Sequence, residues 1–533
     1  VTRILQVPAS SKTGAASLLA GFDAEGITPT VSGPGFLNLQ VADAMLWQRV
    51  ASRVADTRLG VARTVAGSRV VVDYSGPNIA KEMHVGHLRT TIIGDALVRV
   101  LDHLGADVVR QNHLGDWGTQ FGMLIQYLDE SPDAGWRAAA GDISMLNACY
   151  RAATARFGVD QAFADRARRR VVSLQAGDPA TLATWRDLVA VSQRAFQALY
   201  DRLGVLLTPA DADGESGYNG VLAEVVDALV AAGIAVESSG AVCVFFDDVA
   251  GPGREPVPLI VRKSDGGFGY AATDLATIRH RVSTLGADRI LYVVDARQAM
   301  HFRMVFATAR RAGWLPERVE AAHVPFGTVL GADGRPFRTR DGDTVSLGGL
   351  LDAAVDRART VVGGKNPDLA EADLARVAHA VGIGAVKYAE LSTSRTRDYP
   401  FDVDRMVSLS GNTGVYLQYA NARVHSILER LPAGTERTVD TGLPLHPAER
   451  ALALHLDEFG AVLAEVAASA EPHRLCGYLF ALARLFTDFY GTCHVLRAQT
   501  AGQRANRAAL CRLTGNTLST GLGLLGVQAP HPL

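Results

Sequence analysis

Hydrophobic positions between residues 68 and 113 follow two different periods, which predict a strand, a helix and a second strand. Ser68–Tyr74 contains a short apolar run with β-branched residues, typical of a buried strand. From Leu88 to Leu104 the apolar residues recur every three or four positions, which predicts an amphipathic helix beginning near His84. Asp107–His113 is predicted to be the next strand. This βαβ pattern favours an α/β fold with a doubly wound parallel sheet.

The rest of the chain divides by the same criterion. Strand patterns return at 241–246 and 259–262, and a strand at 289–294 precedes a helix near 298–312. Beyond residue 378 the pattern is almost entirely helical. The predicted domains are a partial N-terminal domain at 1–65, an α/β domain at 66–378 with a largely helical insertion at 128–240, and an α-helical domain at 379–533.

Composition excludes several classes of protein. Among the 533 residues, 48% are hydrophobic and 20% are charged, which excludes a mainly disordered chain. No uninterrupted apolar run reaches the roughly 18 residues of a membrane span, and the first residues do not resemble a signal peptide. The five cysteines form no CxxC pair, so we expect no zinc knuckle and a reducing, cytoplasmic location.

Charge is balanced overall but uneven along the chain. The formal net charge of −2 gives no global attraction to nucleic acid. From Pro472 onward the chain has six arginines and one acidic residue, Asp488. This segment is either a contact surface for a polyanion or an ordinary solvated helical surface, and composition favours the second.

The clearest chemical motif lies where the first strand gives way to the helix. His84-x-Gly-His87 opens the predicted helix, and Gly86 removes a side chain where a flat ligand could approach the backbone. Free N–H groups and the helix dipole favour a phosphate at such a terminus, and the two imidazoles can hydrogen-bond phosphate oxygens. Ligands of open α/β sheets bind beyond the carboxyl ends of the strands, which is where this motif lies.

The stretch Ser-Gly-Pro-Asn-Ile-Ala-Lys-Glu-Met-His-Val-Gly-His-Leu-Arg at 75–89 resembles the nucleotide-binding signature of class I aminoacyl-tRNA synthetases, in their arginyl form. Further landmarks extend the resemblance from about Gly33 to the end of the chain. They are His113–Gly122, Gly214–Tyr218, Tyr270–Ala276, Asp295–His301, Phe326–Gly331, Pro336–Gly342 and Asn412–Ala420. The resemblance implies a Rossmann-type catalytic domain, a C-terminal α-helical anticodon-binding domain and an N-terminal segment that contacts tRNA.

The resemblance also implies residues for ATP. Catalytic roles fall on His84, His87, Lys81, Arg338 and Arg340, and ATP contacts on His84, Gly86, His87, Lys81 and Val329. The second signature of the class is a Lys-Met-Ser-Lys-Ser loop, and this chain has Phe-Arg-Thr-Arg-Asp at 337–341 instead. The resemblance implies that a lysine just before the histidine motif supplies the missing charge. Lys81, one of only five lysines, stands there.

For the amino acid, the resemblance implies Asn78, Tyr270, Asp274 and Gln298. Tyr270 and Asp274 are four residues apart and would share one face of a helix. A carboxylate can accept the bidentate fork of a guanidinium, and a tyrosine can pack on it. Lysine would leave buried acceptors unpaired, so such a pocket can discriminate by about four to five orders of magnitude without an editing domain.

Contacts to RNA are expected from the helix after residue 408. Tyr416, Gln418, Tyr419 and Arg423 offer the aromatic faces and donors that recognise unpaired bases. A helical core stripe explains some of these residues equally well.

We therefore predict an arginine–tRNA ligase that uses ATP with Mg²⁺, acts on L-arginine and tRNA(Arg), is monomeric and has no resident metal. One alternative is a diverged second copy with a specialised biosynthetic or resistance role, for which Arg338 and His494 are departures from the family pattern. The other is a catalytically inactive tRNA-binding paralogue. The intact histidine motif and the Tyr270/Asp274 pair argue against an inactive protein.

Overall fold

The structure, a computed structural model, separates into two compact units. The α/β unit comprises Val65–Ala354 and Thr393–Val403, and the helical unit comprises Val1–Thr64, Val355–Ser392 and Asp404–Leu533. The structure describes residues 3–6, 19, 22, 24–32, 36–132, 136, 143–247, 257–331, 333–337 and 345–530.

The strands are β1 (Arg3–Gln6), β2 (Ile27–Ser32), β3 (Phe36–Val41), β4 (Arg69–Asp73), β5 (Asp107–Gln111), β6 (Val236–Ser238), β7 (Ala241–Val244), β8 (Leu259–Arg262), β9 (Arg289–Tyr292), β10 (Glu320–His323), β11 (Val329–Leu330) and β12 (Tyr399–Pro400). The helices are α1 (Asp43–Ala55), α2 (Val85–His103), α3 (Thr119–Glu130), α4 (Ile143–Val159), α5 (Gln161–Gln175), α6 (Pro179–Leu203), α7 (Leu222–Ala231), α8 (Tyr270–Ser283), α9 (Ala299–Arg311), α10 (Leu347–Lys365), α11 (Glu371–Ser392), α12 (Val403–Met406), α13 (Gly414–Glu429), α14 (Pro447–Asp457), α15 (Phe459–Ser469), α16 (His473–Thr492) and α17 (Ala501–Leu524).

A parallel sheet in the order β10-β9-β4-β5 forms the centre of the α/β unit. Val71 of β4 lies opposite Val109 of β5 on one side and Ile290 of β9 on the other. Val71 and Ile290 are fully buried, as expected for strands covered on both faces. The predicted βαβ unit and doubly wound α/β fold are confirmed, with α2 connecting β4 to β5.

The strand patterns near 241 and 259 belong to a second sheet. Here β6, β7 and β8 pair antiparallel, apart from the central sheet. The preceding region is helical, with α4, α5 and α6 covering most of 143–203. Gly122 of α3 packs directly against the backbone of α5 near Ala167 and Val171.

The helical unit has its own core. Leu475, Leu479, Phe486 and Phe489 of α16 are almost completely buried. Trp47 of α1 is 1% exposed and donates its indole N–H to the carbonyl of Leu443. No helix among the described residues is long and apolar enough to cross a membrane.

Candidate active site

A cavity of about 680 Å³ opens where the parallel strands of the α/β unit end. Asp73 ends β4, His113 follows β5 and Val293 follows β9, and all three line the cavity. Parallel strands bring their carboxyl ends to one edge of the sheet, so residues distant in sequence meet there. The amino-terminal turns of α2, α8 and α9 complete the walls.

His84 and His87 lie at the start of α2 with their ring centroids 4.0 Å apart. The Nδ1 of His84 accepts the N–H of Gly86 at 3.0 Å, and the Nδ1 of His87 accepts the N–H of His84 at 3.1 Å. Both Nδ1 atoms are thus acceptors, which leaves each Nε2 to carry the proton of a neutral ring.

The electrostatic surroundings keep these rings uncharged. Burial, with a smaller contribution from the Lys81 charge, lowers the pKa of His84. Burial and the neighbouring His84 lower the pKa of His87 to about 3. At neutral pH the pair therefore presents two N–H donors beside a helix N-terminus, an arrangement that suits phosphate oxygens.

The residues predicted to bind the amino acid also line this cavity. Tyr270 is the first residue of α8 and is 70% exposed, and Asp274 lies one turn later on the same helix, as predicted. The Oδ2 of Asp274 lies 2.5 Å from the Nε2 of His301. Asn78 and Gln298 are exposed on the cavity wall. The structure thus brings the four together with the two histidines.

Asn78 lies close to the backbone of the loop that follows β5. It forms an isolated parallel bridge with Gly115 of that loop, and a Cβ at Gly115 would overlap the Oδ1 of Asn78. Glycine is therefore required at 115 if Asn78 is to keep this position.

Glu215 was not assigned a role from the sequence, although it lies within the quoted Gly214–Tyr218 landmark. It lines the cavity, and burial together with nearby Asp116 and Asp274 raises its pKa to about 7. Glu215 and Asp274 are two carboxylates in one pocket, which suits a cation with several N–H donors. Only the fold reveals this pairing, because the residues are 59 positions apart.

His113 also lines the cavity and was missed. Burial alone would lower its pKa, but the carboxylate of Asp213, 3.6 Å away, and the charge of Asp73 raise it to about 9. Asp73 in turn is held by Arg281, whose side chain is completely buried and whose Nη2 lies 2.9 Å from Asp73 Oδ2. The buried ion pair with Arg281 therefore holds the Asp73 side chain in place in the cavity wall.

Some predicted ATP residues are not part of the cavity wall. Lys81 places its Nζ 4.4 Å from the centre of the Tyr150 ring. Val329 is 4% exposed in β11, where it pairs with Tyr399. Arg338 and Arg340 lie outside the described residues. The roles of these four residues stay predictions.

The predicted RNA contacts on α13 differ in their exposure. Arg423 is exposed, Tyr419 is half-buried, and Tyr416 is half-buried against Phe480 with ring centroids 5.6 Å apart. The prediction for Gln418 was wrong. It is 0% exposed and its amide donates to the carbonyls of Ala380 and Gln528, so it stabilises the protein core instead of meeting RNA.

The arginine-rich C-terminal segment is partly neutralised by its own neighbours. Arg474 pairs with Glu465 and Glu471, and Arg507 pairs with Glu449. These pairs favour a structural role for both arginines.

Within the described ranges, no three His, Cys, Asp or Glu side chains are grouped so that they could hold a metal ion.

Comparison with known proteins gives matches along most of the chain. Residues 49–403 match the family model described as tRNA synthetases class I (R), catalytic domain, and residues 417–533 match the DALR anticodon binding domain. An arginine–tRNA ligase of Frankia casuarinae is 64% identical over 94% of this chain and 86% of its own. One from Streptomyces avermitilis is 53% identical over 94% of this chain and 87% of its own.

Solved structures agree with these matches. Arginyl-tRNA synthetase from Plasmodium falciparum superposes with a TM-score of 0.85 at 28% identity, covering 98% of this chain and 89% of that one. The Thermus thermophilus arginyl-tRNA synthetase gives a TM-score of 0.84 at 25% identity, covering 100% of this chain and 96% of that one.

Proposed function

The chain belongs to the class I tRNA synthetase family in its arginyl form, and from this membership and the cavity described above we propose that it acts as an arginine–tRNA ligase. The observation that carries the proposal is the meeting, in one cavity, of two neutral histidine donors and two carboxylates. The first group suits the phosphates of ATP and the second suits a guanidinium.

In the first step the carboxylate of arginine attacks the α-phosphate of ATP, giving arginyl-adenylate and pyrophosphate. The Nε2–H groups of His84 and His87 donate to the phosphate oxygens as negative charge develops on them. Because both rings are neutral and fixed by backbone hydrogen bonds, they need no proton transfer and little reorganisation. The residues act by positioning and charge stabilisation.

In the second step the terminal ribose hydroxyl of tRNA attacks the carbonyl of the adenylate, giving arginyl-tRNA and AMP. No covalent intermediate with the protein is needed. We expect activation itself to require bound tRNA, as in the family.

We assign the guanidinium to Asp274 and Glu215, with Tyr270 packing beside it and with Asn78 and Gln298 near the α-amino end. A carboxylate accepts two N–H groups of the planar fork at once. Lysine lacks this planar fork, and its ammonium cannot pair with a carboxylate in the same bidentate way, so a site built in this way rejects it strongly.

The remaining contacts to ATP are proposed from the family resemblance. Lys81, Gly86 and Val329 are proposed to contact ATP, and Arg338 and Arg340 its phosphates. We expect ATP to enter as its Mg²⁺ complex, since Mg²⁺ is commonly held by substrate phosphates with few protein ligands. This ion is then part of the substrate.

We propose that residues 379–533 bind the anticodon, that 66–378 carry catalysis and that 1–65 contact tRNA. Arg423, Tyr416 and Tyr419 are the proposed RNA contacts. We further propose that the protein acts as a monomer in the cytoplasm, and its five free, buried cysteines suit a reducing compartment.

No observation favours a diverged second copy or an inactive paralogue. An RNA-binding paralogue would have no need of the histidine pair or of the carboxylate pair in the cavity.

The proposal is tested by aminoacylation of tRNA(Arg) with labelled arginine or labelled lysine. We expect charging with arginine and none measurable with lysine. Equal charging with both would contradict the assignment of Asp274 and Glu215 to a guanidinium.

A further inference from the structure

The loop between β4 and α2, residues 74–84, has strained backbone at two positions. Ser75 has φ of 75° and Ala80 has φ of 62°, both in the left-handed region that non-glycine residues rarely adopt. Asn78 of the cavity wall lies between them, and His84 follows four residues after the second. Other parts of the molecule must therefore hold this loop in place.

The first of these positions, Ser75, is held by Tyr200 of α6. Its hydroxyl lies 2.7 Å from Ser75 Oγ and accepts the Nδ2–H of Asn112 at 3.0 Å. The Oδ1 of Asn112 accepts the N–H of Gly76 at 2.9 Å. Ser75, Asn112 and Tyr200 are all at most 5% exposed, and burial raises the pKa of Tyr200 to about 12, so it keeps its proton.

The second position, Ala80, is held by Ser192 of the same helix. The N–H of Ala80 donates to Ser192 Oγ at 2.9 Å, while that hydroxyl donates its own proton to the carbonyl of Leu188 at 2.8 Å. Ala80 and Ser192 are fully buried. The hydroxyl is thus oriented by its own helix, with a lone pair directed at Ala80.

Ser192 and Tyr200 are eight residues apart, a little over two helical turns, so they lie on one face of α6. We propose that these two residues, the loop clamp, are positioning residues for the reaction. The loop clamp holds the two left-handed residues of the loop, Ser75 and Ala80, and so places Asn78 and His84 for adenylate formation. This inference rests on the proposed function.

The first experiment compares arginine activation by Tyr200→Phe and Ser192→Ala with that by Tyr478→Phe. Tyr478 is a matched control, since it is 5% exposed and its hydroxyl donates to the carbonyl of His455 in the helical unit. We expect kcat to fall on the order of 10- to 100-fold in each loop-clamp variant, because small misplacement of reacting groups has effects of this size. A loss no larger than that of the control would overturn the proposal.

The second experiment separates positioning from general packing. Glycine adopts the left-handed region freely, so Ala80→Gly removes part of what Ser192 must hold in place. We expect Ala80→Gly to restore kcat of Ser192→Ala by about 3-fold or more, and to give no such recovery to Tyr200→Phe, as a double-mutant cycle measures. No recovery with Ser192→Ala would contradict a backbone-positioning role.

A third measurement does not depend on catalysis. Ser192→Ala leaves the buried N–H of Ala80 without its acceptor, so hydrogen exchange in a peptide covering 75–80 is expected to become at least about 10-fold faster. Tyr478→Phe is expected to leave it unchanged. Inactive wild-type protein would contradict the proposed function alone, whereas unchanged exchange in Ser192→Ala would contradict the loop clamp alone.

Discussion

At the residue scale, burial and neighbouring groups set the protonation of the side chains that line the cavity. The backbone N–H groups of Gly86 and His84 occupy the Nδ1 atoms of His84 and His87, so both rings are defined as donors at Nε2. On the other wall, burial brings the pKa of Glu215 to about 7. The histidine pair is thus a donor region, and Glu215 with Asp274 forms an acceptor region in which Glu215 is a full acceptor only in its ionised form.

Gly86→Ala tests the geometry of the donor region. A Cβ at this position would lie 2.8 Å from Cε1 and 2.9 Å from Nδ1 of His84, so the imidazole must move. We expect kcat/KM for ATP to fall by about 10- to 100-fold, the usual effect of misplacing one stabilising donor. Gly477→Ala is the control, because that exposed helical position has open space for a Cβ. Unchanged ATP kinetics in Gly86→Ala would contradict the role of His84.

Asp274→Asn tests the acceptor region. The change removes the charge that we assign to the guanidinium, and a hydrogen bond to a charged group is worth about 1.5 to 3 kcal/mol. The KM for arginine is therefore expected to rise by about 10- to 150-fold, measured by steady-state kinetics. The KM for ATP serves as the internal control and is expected to stay within about twofold. A rise in the KM for ATP alone would contradict the assignment of Asp274 to the guanidinium.

The pH dependence follows from Glu215. Its pKa is raised to about 7, so the side chain is neutral below this pH and charged above it. Because a guanidinium binds the charged form, kcat/KM for arginine is expected to rise as pH increases through about 7. Glu215→Gln should remove this step in the profile. His87, with a pKa lowered to about 3, stays neutral throughout that interval. A step of the same size in Glu215→Gln would contradict the assignment.

At the element scale, close packing in the helical insertion is set by one glycine. A Cβ on Gly122 of α3 would lie 2.7 Å from the carbonyl oxygen of Ala167 and from the amide nitrogen of Val171, both backbone atoms of α5. Gly122→Ala must therefore push the two helices apart.

We expect Gly122→Ala to lower the free energy of unfolding by about 1 to 3 kcal/mol, as overpacking usually does. Thermal or denaturant unfolding measures this change. Gly158→Ala in α4 is the control, since nothing lies within 4 Å of a Cβ there, and we expect it to be neutral or slightly stabilising. Equal stability of Gly122→Ala and Gly158→Ala would contradict the described contact.

The elements best predicted from the sequence were those in which hydrophobic residues recur with a clear period. The run of valines in β4 and the apolar stripe of α2 gave the βαβ unit, because burial on both faces leaves a continuous apolar run and burial on one face leaves a stripe. The hydrophobic patterns near residues 241 and 259 predicted strands, but they did not indicate which strands these pair with. Hydrophobic period does not specify which strands pair, so the separate antiparallel sheet appeared only in the structure.

At the scale of the whole molecule, the cavity contains some residues that sequence motifs identify and others that they do not. His84, Asn78, Tyr270, Asp274 and Gln298 lie within recognisable motifs and do meet in the cavity. Gln418 also lies within a motif but is buried, since a helix turns one face to the core and sequence alone did not tell which.

Glu215, His113 and the loop clamp could not be predicted from spacing. Each acts through residues far away in sequence, such as Asp274 for Glu215 and Ser75 for Tyr200, which lies 125 positions away. The fold brings these residues together from separate elements, and only a three-dimensional structure gives that proximity.

The central claim is that this cavity forms arginyl-adenylate. The most direct test is ATP–pyrophosphate exchange with and without arginine and with and without tRNA(Arg). We expect exchange only when both arginine and tRNA(Arg) are present, and none with lysine in place of arginine. The sample must show a thermal unfolding transition, which establishes that it is folded. If such a sample gives no exchange under any of these conditions, the result would contradict catalysis and favour an RNA-binding protein without it.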